Sequence, residues 1–239
     1  MKTLIVLLAG ICVLTKATAQ DGYGSTSVYD RVATLPRGKH LYVIPPNGIW
    51  REQRWKDSVY RFQSFEQGKL EMTNGFIPSH RPMLNYNFMY ESFDIKQPTG
   101  EIVKMRKSPA IKAVWVGDHK FINDPVFGYL EIILEGKISV AQRTHLDGLY
   151  ELSNGSRYPM RSLMDTKIAS DKTTQYYWEE VQYYLVDEAS KAYRVGAPQL
   201  KALARRHKSE IKAFGKANHI DYRKKEDILK IVAYANGLP

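Results

Sequence analysis

Residues able to do chemistry are scattered along this chain. Six histidines (His40, His80, His119, His145, His207 and His219) are spread over 239 residues. None belongs to an HExxH pair or another metal-ligand spacing. His145 and Asp147 are one residue apart, which on a strand puts both on one face. That placement suits an acid–base pair or two metal ligands, and it equally suits a solvated turn ahead of Gly148. Asp118, His119 and Asp124 fall in expected turns. There is no GxSxG, no P-loop and no dinucleotide-binding glycine fingerprint, and Ser139, Ser153 and Ser156 have no sign of a paired base. Glu179 and Glu180 are adjacent, so on a strand they face opposite ways. A glycosidase pair would have to come from distant strands. The pattern therefore assigns no catalytic residue, no metal ligand and no cofactor.

Charge and aromatic rings point to binding instead. Ala197 to Pro239 carries ten basic and four acidic residues, a net +6. Arg205, Arg206, Lys208 and Lys212 flank an apolar helical face, and Arg223, Lys224 and Lys225 add a cluster. These seven are the candidate partner-binding residues. Basic helices of this kind fit anionic lipid headgroups, lipopolysaccharide or acidic glycan, or a protein partner. They also fit the solvated side of ordinary amphipathic helices. Tyr176, Tyr177, Trp178, Tyr183 and Tyr184 are placed to line a carbohydrate or peptide groove, or simply to fill a core at strand spacing.

The elements that must position these residues are mainly strands. Met83 to Val140 alternates short apolar runs with turn signals and predicts four or five antiparallel strands. Leu84 to Ile95 reads as one long aromatic strand. Gln97-Pro98-Thr99-Gly100 turns it back onto Glu101–Met105. Ile111–Val116, Tyr129–Leu134 and Ile138–Ala141 follow, the last two around Glu135-Gly136-Lys137. Upstream, Val59–Phe65 and Lys69–Thr73 read as strands around a Gln67-Gly68 turn, and Asn74-Gly75 is a hairpin signal. Leu41–Ile44 is a short strand in an otherwise irregular arm. Leu149–Asp171 is a connector with room for a short helix. Thr173–Val186 is a strand that Lys191–Val195 returns along. Beyond Pro198 the period changes. Leu200, Leu203, His207, Ile211 and Phe214 mark one helical face, Glu226-Asp227 starts another helix, and Asn236-Gly237 stops it. The expected fold is α+β: a mainly antiparallel sheet over residues 48–195, built as a sandwich, half-barrel or rolled sheet, with a small basic helical tail over 196–239.

Residues 1–19 read as a signal peptide that is removed. Lys2 is followed by an apolar stretch to Leu14 and by Ala17-Thr18-Ala19. The apolar stretch is shorter than the roughly 18 residues of a spanning helix. Cys12 lies inside it after Ile11, which does not suit lipidation. Without that leader the chain has no cysteine and carries a net +8, from the 35 Lys and Arg less Lys2 and Lys16 against 25 acidic residues. Disulfides and thiol chemistry are thereby excluded, and the core must hold the fold. Export argues against nucleic acid as a partner, leaves no membrane span in the mature chain, and points to a periplasmic, outer-membrane-associated or extracellular setting. Residues 20–47 form the expected N-terminal arm.

Short motifs add a resemblance. Tyr184-Leu185-Val186-Asp187, Lys191-Ala192-Tyr193, Glu210-Ile211-Lys212, Asn218-His219-Ile220-Asp221-Tyr222 and Glu226-Asp227-Ile228-Leu229-Lys230 resemble the C-terminal part of exported proteins of unknown function from Bacteroidetes-type bacteria. Leu84-Asn85-Tyr86-Asn87 and Phe127-Gly128-Tyr129-Leu130-Glu131 resemble the same group. The resemblance covers roughly Met83 to Tyr234. It implies an envelope or secreted setting and brings no catalytic residues. The expected function is a non-enzymatic binding protein with a basic tail. The alternative is a glycan or peptide hydrolase using residues such as Asp118, His119, His145 and Asp147.

Overall fold

The computed structural model describes residues 41–44, 59–152, 154–159 and 173–239. The expected leader, the arm apart from Leu41–Ile44, and the 160–171 part of the connector lie outside the described residues. The strands are β1 (Leu41–Ile44), β2 (Glu66–Met72), β3 (Met83–Asn87), β4 (Ser92–Lys96), β5 (Ile102–Lys104) and β6 (Ile111–Val116). They continue as β7 (His119–Asp124), β8 (Gly128–Leu134), β9 (Ser139–Leu152), β10 (Arg157–Pro159), β11 (Thr173–Val186) and β12 (Ala192–Arg194). Three helices follow: α1 (Ala197–Leu203), α2 (Lys208–Ala217) and α3 (Lys225–Asn236). All strand pairs are antiparallel. The sheet order is β1-β11-β9-β8-β7-β6-β2-β3-β4-β5, with β10 on β9 and β12 on β11. The fold class is α+β with the sheet dominant.

Local chemistry explains where the chain departs from its periodicity. Leu84–Ile95 is two strands, because the Asn87 side chain accepts hydrogen bonds from the Met89 and Tyr90 amides at 3.0 and 3.3 Å. That side-chain turn breaks the ladder without Gly or Pro, and Glu91 takes φ 49° to complete it. Val59–Phe65 is a strap, not a strand. Asn85 accepts from the Phe62 amide and donates to the Phe62 and Ser64 carbonyls, so a side chain takes the bonds a neighbouring strand would make. Gly68 lies within β2 rather than at a turn. A Cβ there would sit 2.3 Å from Leu84 Cδ1, so close packing requires the glycine. His119 and Asp124 begin and end β7, and are not turn residues.

The sheet rolls onto itself. β4 and β8 are five places apart in the sheet order. On a flat sheet that is about 24 Å at roughly 4.8 Å per strand. Yet the Phe93 and Tyr129 rings are 4.9 Å apart, and Phe93 and Phe121 are 5.1 Å apart. The first core fills this roll with Leu84, Tyr86, Phe93, Val114, Phe121 and Tyr129. The other face of β3 and β4 is polar yet buried, carrying Asn85, Asn87, Ser92 and Asp94 beneath the strap. Tyr60 and Asn87 both donate to Asp94 Oδ2, at 2.8 and 2.9 Å.

A second core lies further along the same sheet face. Phe121 pairs with Glu131, Glu131 with Gln142, and Val140 with Leu185, so alternation keeps all of them on one side. Val140 and Leu185 meet Leu200, Ile211, Ile228, Ile231 and Val232 of the helices. Each of the helical Leu and Ile side chains is 0–1% exposed. Burying one contributes about 1.5–3 kcal/mol. Pro198 stands in the first turn of α1, and Glu226 and Asp227 in the first turn of α3, where the helix dipole favours them. Asn236 ties the end of α3 to the β8–β9 turn: it accepts from the Ile138 amide at 2.9 Å and donates to the Ile138 carbonyl at 2.8 Å. The opposite sheet face holds a third core of Ile122, Leu130, Ala141 and Tyr184.

Candidate functional site

Between the first two cores sits one buried carboxylate, Glu131, 4% exposed. Arg61 on the strap grips it with two parallel bonds of 3.1 Å. Gln142 donates to it at 2.8 Å, and His119 Nδ1 lies 2.7 Å from Oε1. A carboxylate only accepts, so the His119 proton sits on Nδ1. Burial alone would raise the Glu131 pKa. The bonds from Arg61 and Gln142, the Arg61 charge and the His119 bond outweigh it and hold the carboxyl below its ordinary value. His119 packs on Phe62, centroids 4.9 Å apart, and Arg61 lies over the same ring. With all its bonds spent on Arg61, Gln142 and His119, Glu131 acts as a clasp that fastens the strap to the sheet.

The sequence-derived hydrolase residues do not share a cleft. His119 is on the Phe121–Glu131 face. His145 lies on the face of Ala141 and Arg143 in β9, since alternate residues point the same way. Asp118 is exposed in the β6–β7 turn. Asp147 does stand on the His145 face, but its carboxylate accepts from the Gly148 amide at 2.8 Å. His145 is not in a solvated turn. Burial first, and then the Arg143 charge, push its pKa below the ordinary histidine value, and its buried Nδ1 has no hydrogen-bond partner. Asp124 is structural: it accepts from the Val126, Phe127 and Ala192 amides at 2.8, 2.9 and 3.1 Å. Among the described residues no three His, Cys, Asp or Glu side chains are grouped to hold a metal ion.

The aromatic run on β11 is largely core. Tyr177 and Tyr184 are 1% exposed and Trp178 9%. Tyr176 and Tyr183 are half-buried, Tyr183 against the helical core. Burial, and then the Glu226 charge, raise its pKa.

The basic tail turns its charge outward because its apolar side is docked. Ile211 is buried and Phe214 stacks on Tyr234 with centroids 4.0 Å apart. Lys208 and Lys212 are exposed one turn apart on α2, and Lys216 extends the row. Arg205 and Arg206 are exposed in the 3-10 turn before it and line a 590 Å³ cleft with Asp187, Glu188 and Tyr193. Arg223 lies beyond the far end of α2. Its Nε and Nη2 each donate a hydrogen bond of 3.0 Å to the Asp221 carboxylate, pulling the Asp221 pKa down to about 2. Lys224 and Lys225 lead into α3. Of the seven candidates, Arg205, Arg206 and Lys208 stand at the start of α2, Lys212 midway along it, and Arg223, Lys224 and Lys225 beyond its end. Arg194 on β12 was not singled out in the sequence. It joins Arg223 on a 450 Å³ cleft between β11 and the α2–α3 turn. Its pairing with Tyr184 sets the Arg194 side chain on the sheet face away from the helices.

No protein-family model, curated protein or solved structure matches the chain. No helix among the described residues is long and apolar enough to cross a membrane.

Proposed function

We propose that this is an exported, non-enzymatic binding protein of the cell envelope whose basic C-terminal helices hold an anionic component. The chemistry is a phosphate or carboxylate array, as on lipid headgroups, lipopolysaccharide or acidic glycan. One observation carries the reading. The apolar side of α2 is docked on the sheet while Arg205, Arg206, Lys208, Lys212 and Lys216 stand exposed. Among the described residues none of these five cations has a carboxylate in ion-pair range, so their charge is available to a partner. The leader pattern and the resemblance to exported proteins support the setting.

The test is co-sedimentation with phosphatidylglycerol vesicles, purified lipopolysaccharide and polygalacturonate, in rising sodium chloride. Retention should fall steeply between about 0.1 and 1 M salt as the screening length shrinks from about 10 to 3 Å. It should be lost when Arg205, Arg206, Lys224 and Lys225 are replaced by Glu. The three anions separate the sources. Retention that ignores both salt and the replacements sinks the proposal, as does capture of a stoichiometric protein partner in place of all three.

A further inference from the structure

We propose that the Asn236-Gly237 end of α3 is a self-deamidation site that docking of the helix holds in check, while the Asn74-Gly75 and Asn154-Gly155 turns are open to the same reaction. The inference does not depend on anion binding. The sequence has four Asn-Gly pairs, of which Asn47-Gly48 lies outside the described residues.

The reaction needs only the chain and water. The glycine amide nitrogen attacks Asn Cγ and a C–N bond forms. The Cγ–Nδ2 bond breaks, and ammonia leaves with the proton the glycine nitrogen gives up. Water then opens the cyclic imide at either carbonyl, giving aspartate or isoaspartate with no change of oxidation state. Glycine permits the approach because it has no Cβ. The rate is then set by how firmly local structure holds the asparagine side chain and the glycine amide.

The three described pairs differ there. Asn74 and Asn154 are exposed and build the same turn. Each side chain accepts one hydrogen bond, from the Phe76 or the Ser156 amide, at 3.0 Å. The Gly75 and Gly155 amides each donate to one carbonyl, of Met72 and Leu152, at 2.9 Å. A Cβ at either glycine would meet nothing within 4 Å, so these turns have open space in which to deform. Asn236 is half-buried and held at both ends of its amide by Ile138, Oδ1 accepting at 2.9 Å and Nδ2 donating at 2.8 Å. The Gly237 amide is shared between the Ala233 and Tyr234 carbonyls at 3.1 Å each. Attack at Asn236 would have to break all of these together, and undocking of α3 does so. The aspartate that follows only accepts, so the bond to the Ile138 carbonyl cannot be remade. Asn236 thereby turns a passing excursion of α3 into a permanent one.

Peptide mapping by mass spectrometry of the full-length protein aged at pH 8 reads each pair separately. Asn74 and Asn154 should convert in the folded protein. Asn236 should lag them by at least about fivefold, the least that its two side-chain bonds give. In urea the three rates should converge. Gly136→Ala brings a Cβ to 2.3 Å from Asn236 Nδ2 and should raise the Asn236 rate alone. Equal rates at Asn236 and Asn154 in the folded protein overturn the proposal. So do a lag at Asn236 that persists in urea, an Asn236 rate unmoved by Gly136→Ala, and exposed turns that convert as slowly as Asn236.

Discussion

Replacing Glu131 by glutamine keeps the side chain's shape and removes its charge. Arg61 then grips a neutral amide, and the His119 and Gln142 donors lose their ionised acceptor. Breaking a fully buried pair from one side costs about 3–5 kcal/mol. The Arg61 side chain is 33% exposed, so water recovers part of that loss. The expected cost is about 2 kcal/mol, which lowers Tm by about 4–8 °C in a chain of this size. Urea denaturation at pH 7 should show a lower midpoint with an unchanged slope. The pH dependence carries a second check. The Glu131 carboxyl is held below its ordinary value of 4.5, so its stabilisation is present above that value and lost as pH falls below it. The gap between parent and Glu131→Gln should therefore be widest at neutral pH and narrow below pH 4.5. A gap under about 0.5 kcal/mol at pH 7, the size of an ordinary surface substitution, would refute the clasp. So would a gap of constant size in acid.

Three further perturbations follow from the polar contacts. His145 has its folded pKa pushed below 6.5 by burial and Arg143, with Glu91, Asp147 and Glu180 pulling the other way. The folded state is therefore penalised as pH falls through 6.5. His145→Gln should gain stability relative to the parent between pH 7.5 and 5.5, read by denaturation midpoints, and an unchanged difference would contradict this. Asn236→Ala should cost about 1–2 kcal/mol by leaving the Ile138 amide and carbonyl without their partner. Gly136→Ala should cost a similar amount by the same route, since a Cβ there would lie 2.3 Å from Asn236 Nδ2. Near-additive losses in the double variant would show that the two do not share one contact.

Strands with clean alternation were legible in the sequence: β6, β8 and β11 lie within a residue of expectation, and Leu41–Ile44 forms β1 on β11. The Gln97–Gly100 and Glu135–Lys137 turns also formed as read. Two departures share a physical cause, an asparagine side chain that bonds to backbone. Asn87 broke a strand that apolar periodicity runs straight through. Asn85 turned Val59–Phe65 into a strap by supplying bonds from more than 20 residues away. The Asn74-Gly75 turn did form, with Gly75 at φ 80°, but the chain runs on to Met83 before pairing. The basic helices were readable from period and charge. The Glu131 clasp was not, because its members come from separate strands and a strap whose register only the folded sheet sets.

The bond between Asn236 and Ile138 spans 98 residues of sequence. A ribosome delivers Ile138, Val140 and Leu185 well before α3. Until α3 arrives, the newborn sheet presents an uncovered apolar strip along β9 and β11, the kind of surface on which chaperones act and chains aggregate. The strip is closed only when α3 docks on it.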